Sequence, residues 1–462
     1  MKRLLLVAML LCGVWSAQAI KIIHGPYLQA VSDTEATIIW VTDVDALSWV
    51  EVAPEDGKHF YYLDREKFYQ THFGKRVIGT LHQVRVTGLK PGTKYRYAIA
   101  SKEVLEQKGH RISYGQIVST NVYRKGAQTI PTLDPKKESI EFVVMNDVHA
   151  KIEKMEAYLT HCFKKGETDM VIFNGDMVSS VPSEKIIFDG FLDTAVKHFA
   201  SDVPFFYVRG NHETRGKCAL KFSDYFPTTT GKPYYTFTHG NTFFIALDGG
   251  EDKPDSNIEY YETAAYDAYR KEEAEWLKKV VESEECKSAK HRIVLMHMAP
   301  IGGKNMWHGP KYSGELFLPI LNEANITLML GGHTHRYSYN KPEETGANFP
   351  ILVNAHNTAA KVHINNNGVI THGTVQPVGD AMTANLEMRY AEGRLYAEST
   401  LAEFMKKATG GTISLGVKYI KNAAQQLMFG STSKTRSITA GGSSQNVSSL
   451  VLGAKSTRCH HK

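Results

Sequence analysis

The stretch Ser139-Ile140-Glu141-Phe142-Val143-Val144-Met145-Asn146-Asp147-Val148-His149 decides how this chain is read. Residues 140–145 are apolar apart from Glu141, the composition of a buried strand, and the run ends on Asp147 and His149, two metal-ligating side chains. The same arrangement recurs down the chain. Residues 170–173 lead into Gly175-Asp176, and residues 203–208 into Gly210-Asn211-His212-Glu213. Residues 293–296 lead into His297, and residues 326–330 into Gly332-His333-Thr334-His335. Polar clusters at the ends of strands can all meet along one sheet edge.

Between these strands lie helical patterns at residues 183–199, 265–285 and 314–324. In the second of them Tyr269, Trp276, Leu277, Val280 and Val281 make one apolar face. Strands alternating with helices predict an α/β layered domain, two packed sheets flanked by helices, over residues 138–376. Its last strands are expected at 351–353, 361–364 and 369–371. Residues 20–123 read differently. Thr37-Ile38-Ile39-Trp40 and Trp49-Val50-Glu51-Val52 are β-branched and aromatic, and residues 82–87 and 95–99 alternate around the turn Pro91-Gly92. An all-β sandwich is expected there. Residues 124–137, with Gly126, Pro131 and Pro135, read as a linker. Residues 377–462 read as an extension, helical over 386–407 and then a Ser/Thr/Gly-rich tail over 430–456 that has little to bury. His460-His461 belongs to that tail.

The first nineteen residues have Lys2 and Arg3, an apolar run and then Ala17-Gln18-Ala19, the three parts of a secretory leader. Cleavage after Ala19 and a secreted or periplasmic protein are expected. The apolar run is shorter than the ~20 residues of a membrane span, so no transmembrane segment is expected in the mature chain. With Lys2 and Arg3 removed the formal charge falls from +6 to about +4, too mild to imply a nucleic-acid partner. Cys162, Cys218, Cys286 and Cys459 are scattered, with no Cys-x-x-Cys pair, which excludes a zinc knuckle or a thioredoxin-like motif.

Two carboxylates, an amide oxygen and several imidazoles form the donor set of a hard-to-borderline divalent cation. A phosphoester resists attack because its negative oxygens repel the nucleophile. Two cations about 3.5 to 4 Å apart answer this by ionising water and neutralising those oxygens. The five clusters, in this order, resemble the calcineurin-like metallophosphoesterase superfamily: Asp-x-His, Gly-Asp, Gly-Asn-His-Glu, His and Gly-His-x-His. The resemblance covers about residues 139–376. It implies that Asp147, His149 and His335 bind one metal, Asn211, His297 and His333 a second, and that Asp176 bridges the two. It leaves His212 to face the substrate as general acid or charge stabiliser. It also implies a phosphoester substrate and two divalent ions, manganese, zinc or iron.

Each residue has a plainer reading. Asp147 could cap a helix over residues 151–164, and Asp176 could end a strand in a Gly-Asp turn. Glu213 reads as an orienting or surface carboxylate. Arg215 and His308 could touch phosphate but read as solvated loop residues. Asp248, Glu251, Asp252 and Asp255 crowd one loop, where a solvated acidic segment is the default.

The amino-terminal region resembles the fibronectin type III-like domain of purple acid phosphatases, through His24-Gly25-Pro26-Tyr27-Leu28-Gln29, Thr37-Ile38-Ile39-Trp40 and Gly88-Leu89-Lys90-Pro91-Gly92-Thr93-Lys94-Tyr95. There is a departure. That family carries a tyrosine ligand three residues after the Gly-Asp aspartate, where Ser179 stands, and its first motif lacks the histidine found at His149. A tyrosinate-iron(III) bond is not expected. Hydrolysis of phosphomonoesters, with phosphodiesters as a variant, is the leading expectation. The alternative is an adhesion protein that binds glycans or protein through the sandwich and keeps a spent phosphoesterase scaffold.

Overall fold

The computed structural model describes residues 19–365 and, beyond them, the segments 368–375, 385–391, 394–399, 412–415, 420–421, 426–427 and 436–439. The leader and the His460-His461 pair lie outside the described residues.

The amino-terminal domain is built on β1 (Ile22–Gln29), β2 (Ala36–Pro54), β3 (Lys67–Tyr69), β4 (Ile78–Val86), β5 (Lys94–Lys108), β6 (Arg111–Ser119) and β7 (Gln128–Pro131). All seven join in one hydrogen-bonded network. The long β2 makes this possible: residues 36–47 pair with β4 and residues 46–54 with β5, with a register shift between Val41 and Ala46. Ile38 and Trp40 from its first half and Val50 from its second therefore reach the same core. Strand β7 corrects the expected linker. Gln128–Pro131 pairs with Lys94–Tyr97, because Thr129 and Ile130 are β-formers and Pro131 takes the last position, where no ladder N–H is required.

The second domain contains β8 (Ile140–Met145), α1 (Ile152–Cys162), β9 (Met170–Asn174), β10 (Phe205–Val208), β11 (Tyr235–His239), β12 (Thr242–Leu247), α2 (Tyr266–Val281), β13 (His291–Met296) and α3 (His308–Asn322). It continues with β14 (Leu328–Gly331), β15 (Ser338–Asn340), β16 (Ile351–Val353), β17 (Thr358–Asn365), β18 (Gly368–Val375), β19 (Asn385–Ala391) and β20 (Arg394–Ser399). One sheet has the order β10-β9-β8-β17-β18-β19-β20, the other β11-β12-β13-β14-β16-β15. Strands β8, β9 and β10 are parallel, as are β12, β13, β14 and β16.

Both faces of each sheet are covered, which is why these strands are continuously apolar. Phe142, Val144, Ile172 and Val208 from one sheet meet Phe244, Leu295, Leu330 and Leu352 from the other in the middle layer. The alternate residues Val143, Met145, Phe173 and Phe205 pack outward on Tyr158, Leu159, Phe191 and Phe199 of α1 and the helical segment 185–200. Ile245, Val294 and Met329 pack on Leu277 of α2 and on Phe317 and Leu321 of α3. The layers run helix, sheet, sheet, helix, as expected from the alternation. The amino-terminal domain docks on this body through polar anchors: Tyr27 Oη to Tyr225 O at 3.0 Å, Tyr97 Oη to Ser201 O at 2.8 Å and Thr129 N to Asp202 Oδ1 at 2.8 Å.

Within residues 386–407, where a helix is expected, the described residues 386–391 and 394–399 are strands, and the rest lie outside the described residues. β19 pairs with β18 and with β20, extending the first sheet. Leu386, Met388 and Tyr390 alternate with period two, and Gly393 falls between the strands; docking on a sheet edge outweighs the helix propensity of Leu, Glu and Met. Within residues 430–456 the described part is Arg436–Thr439, paired with Thr412–Leu415.

Candidate metal centre

Parallel strands deliver the donors. Asp147 follows β8, Asp176 follows β9, Asn211 and His212 follow β10, His297 follows β13, and His333 and His335 follow β14, all at carboxyl ends of strands, where open α/β sheets hold ligands. The turn after each strand is sharp. Asp147, His149, Asp176, His333 and His335 all have positive φ, between 51° and 67°, a left-handed backbone that is costly for residues with a Cβ and concentrates at functional sites. Gly175, at φ 82°, is required by packing as well: a Cβ there would stand 2.5 Å from the His297 ring. Asp147 therefore does not cap α1, whose first turn is preceded by Lys151, and Asp176 does more than close a turn.

The side chains converge into three overlapping groups, Asp147/His149/His335, Asp176/His297/His333 and His149/Asp176/His212, each with ligand atoms within 4.8 Å of one another. Asp147 Oδ1 lies 3.2 Å from His335 Nε2 and 3.9 Å from His297 Nε2. His149 Nε2 and His335 Nε2 are 3.2 Å apart. His333 Nδ1 is 3.1 Å from Asn211 Oδ1, which places the amide with the second group. The eight residues singled out from sequence are thus brought together.

Whether a cation fits is decided by two buried atoms. His297 Nδ1 donates to the Asn174 carbonyl at 2.7 Å, so the lone pair of the neutral ring sits on Nε2. That Nε2 lies 3.0 Å from Asp176 Oδ2, and Asp147 Oδ1 3.2 Å from His335 Nε2, yet neither contact has hydrogen-bond geometry, so both buried atoms are left without a hydrogen bond. They are two of nine such atoms among the described residues, and these two lie 3.9 Å apart within the overlapping ligand groups. A cation between them satisfies both, and the mixed nitrogen and oxygen donors suit it.

The electrostatics agree. Burial pushes the Asp147 and Asp176 carboxyls up, but the facing His335 and His297 more than reverse this and hold both below the usual range. Burial lowers the His149 and His333 rings to about 4. Burial opposes protonation of His297, yet Asp176 and Asp147 push it up to about 10. At neutral pH this gives two carboxylates, two neutral imidazoles, and one imidazole whose proton occupies the place a cation would take.

Polar residues that the motifs do not single out hold the donors. Asn146 Nδ2 donates to Asp147 Oδ2 at 2.5 Å and to Asn354 O at 3.1 Å, and Asn354 Nδ2 returns a bond to Asn146 Oδ1 at 2.8 Å. Ser179 Oγ lies 3.3 Å from His149 Nδ1, so the serine at the tyrosine position supports a histidine. The visible signal for Asn146 and Asn174 is an amide closing an apolar strand. Glu213 is a buried clamp. Its carboxylate accepts from Asp176 N at 2.9 Å, Gly210 N at 2.9 Å, Val178 N at 3.2 Å and Tyr207 Oη at 2.9 Å, tying the Gly-Asp turn to the Gly-Asn-His-Glu turn. Glu213→Ala leaves these donors buried and unmet. A loss of roughly 3 kcal/mol or more is expected, read as a lower denaturant midpoint at unchanged m-value; an unchanged midpoint would contradict the clamp.

The acidic loop is not solvated, contrary to its default reading. Asp248 pairs with Arg209 at 2.6 Å and accepts from Tyr269 Oη at 2.7 Å. Glu251 grips Arg215 through Nε and Nη2, both at 2.8 Å, with Asp252 3.6 Å from Nη2. Asp255 accepts from Tyr266 N and Asp267 N at the start of α2. Three of the four carboxylates are buried, and arginines meet the charge of Asp248 and Glu251, leaving no extra cation to infer. Arg215 and His308 part company. The Nη1 of Arg215, which Glu251 does not take, lies 3.3 Å from His212 Nε2, whereas His308 pairs with Asp267 at 2.9 Å.

Residues 140–337 match the family of calcineurin-like phosphoesterases, and residues 24–113 match the N-terminal domain of purple acid phosphatases. By this match the second domain is similar to the calcineurin-like phosphoesterases. The chain is 21% identical over 298 residues to purple acid phosphatase 15 of Arabidopsis thaliana, covering 56% of this chain and 49% of that protein, so it spans about half the length of that relative. Among solved structures, the phosphopantetheinyl hydrolase of Mycobacterium tuberculosis is 12% identical with a TM-score of 0.33, covering 48% of this chain and 91% of that one. A cold-active protein-tyrosine phosphatase of a psychrophilic Shewanella is 12% identical with a TM-score of 0.25, covering 77% and 97%. The region matched to the calcineurin-like phosphoesterases ends at residue 337, just past His335.

Proposed function

We propose that the chain is a secreted dinuclear-metal phosphoesterase acting on phosphomonoesters, with Asp147, His149 and His335 holding one ion, Asn211, His297 and His333 the other, and Asp176 between them. The observation that carries this is the facing pair of unpartnered buried atoms, Asp147 Oδ1 and His297 Nε2, inside a ring of further donors. The bound ions would ionise the attacking water and neutralise the phosphoryl oxygens. His212 stands beside this ring. Its Nδ1 donates to Ser179 O at 2.7 Å, which directs Nε2 toward Asp176, 3.8 Å away, and toward Arg215. Protonated, Nε2 delivers a proton to the leaving oxygen. Arg215, with Nε and Nη2 committed to Glu251, offers Nη1 to a phosphoryl oxygen in a direction fixed before substrate arrives.

Export rests on the leader Met1 to Ala19; no helix among the described residues is long and apolar enough to cross a membrane. Manganese, zinc or iron(II) suits the donor set, and with Ser179 where a tyrosine would stand, iron(III)-tyrosinate has no ligand. The test is to purify the chain from medium or periplasm, where it should begin at Ile20, and to assay it with each metal against phosphomonoesters, nucleotides and phosphodiesters. Phosphomonoester hydrolysis with about two ions per chain and no visible charge-transfer band is expected. A metal-free native protein without phosphate release, or a tyrosinate band, would overturn the reading.

A further inference from the structure

The loop 248–261 and the segment 302–309, which runs into the first turn of α3, meet at the rim of the metal centre. Gly309 N donates to Asp252 O at 2.8 Å, an approach so close that a Cβ at 309 would overlap the Glu251 carbonyl. Trp307 stands at this junction, the residue before α3, and its carbonyl accepts from Lys311 N at 3.1 Å. Its indole meets the His333 ring edge-on, with centroids 6.0 Å apart and planes at 83°. Lys253, from the other loop, places Nζ 5.5 Å from the indole centre and is itself anchored by Glu259 at 2.7 Å. Trp307 still keeps 53% of its surface in solvent.

A single exposed apolar side chain is ordinary, so exposure alone argues nothing. Place and rigidity do. This indole is fixed by a helix start, an inter-loop hydrogen bond and a cation, and it touches a histidine of the candidate metal centre. A pre-ordered aromatic surface binds another flat ring at little entropic cost, and rings offer one another offset or edge contacts. We propose that Trp307, supported by Lys253, is a stacking platform for the leaving group, so that the site favours phosphomonoesters whose alcohol bears a flat aromatic ring, either an aryl phosphate or a nucleoside monophosphate. The assignment rests on the phosphoesterase reading and narrows its substrate class.

The test uses the metal-loaded full chain as wild type, Trp307→Ala and Trp307→Phe. Because the side chain is exposed on a fixed backbone, neither substitution should disturb folding. Calorimetric titration compares phenylphosphonate with methylphosphonate, which needs no turnover. The wild type should bind the phenyl compound about tenfold more tightly, Trp307→Ala should erase that difference, and Trp307→Phe should keep most of it. In parallel, kcat/KM for phenyl phosphate, adenosine 5′-monophosphate and glycerol 2-phosphate shows which aromatic source is used: the alanine variant should lose about tenfold on the aromatic substrates it stacks, through KM, and far less on the glycerol ester. Equal binding of the two phosphonates by wild type, or an equal loss on all three esters, overturns the platform. A protein that discriminates the phosphonates but hydrolyses none of the esters overturns the phosphoesterase reading while supporting the platform.

Discussion

Replacing Asp176 by alanine is expected to bring phosphate release to background, a loss of more than about 10³-fold, and to lower metal content from about two ions per chain to less than one. The size of the effect follows from position. Asp176 is the carboxylate shared by two of the three ligand groups, one through His149 and His212 and the other through His297 and His333. Its Oδ1 also accepts from His212 N at 3.0 Å, so the same side chain holds the turn that presents His212. Without it, both candidate metal positions lose a negative donor and the turn loses an anchor. The fold itself should survive, because the two sheets are held by the apolar middle layer and Glu213 still ties the adjacent turns. Phosphate assay, metal analysis and circular dichroism together check this. Full activity with two bound ions in the variant would refute the bridging role.

Replacing His212 by alanine is expected to separate chemistry from metal binding. The loss in kcat should be about 10²–10⁴-fold, the range for removing a positioned general acid, while metal content stays at the wild-type level. The imidazole is oriented by Ser179 O, faces Arg215 and is partly exposed. The leaving group discriminates two roles. If His212 donates a proton, the loss is small for 4-nitrophenyl phosphate, whose phenolate leaves unaided, and large for an alkyl ester. If it stabilises charge on the phosphoryl oxygens, both esters lose equally. A variant with wild-type kcat on both esters would remove His212 from the mechanism.

Much of this was legible along the chain because it depends on local pattern. Apolar runs of strand length, each followed by a ligand-type side chain, imply strands whose ends converge, and the layered architecture follows from their alternation with helices. What the pattern missed has particular causes. Leu386 to Ala391 combine helix formers with a period-two alternation, and they form a strand because β18 offers an edge to pair with. Residues 128–131 read as linker because Gly126, Pro131 and Pro135 fall among polar residues there, yet β5 has an open side that they complete.

The acidic loop illustrates the division most clearly. In sequence Asp147, Asp176, Asp248 and Glu251 are alike: carboxylates after an apolar run. In space Asp147 and Asp176 face imidazoles and keep an oxygen in the centre, while Asp248 and Glu251 meet Arg209 and Arg215, 39 and 36 residues away in the chain. By itself the sequence determined which donor atoms exist, their order and the strands that carry them, since side-chain chemistry and periodicity are local properties. Only the tertiary structure decided which carboxylates are left for a cation and which are spent on arginines, because Coulomb and hydrogen-bond energies depend on distances that packing sets.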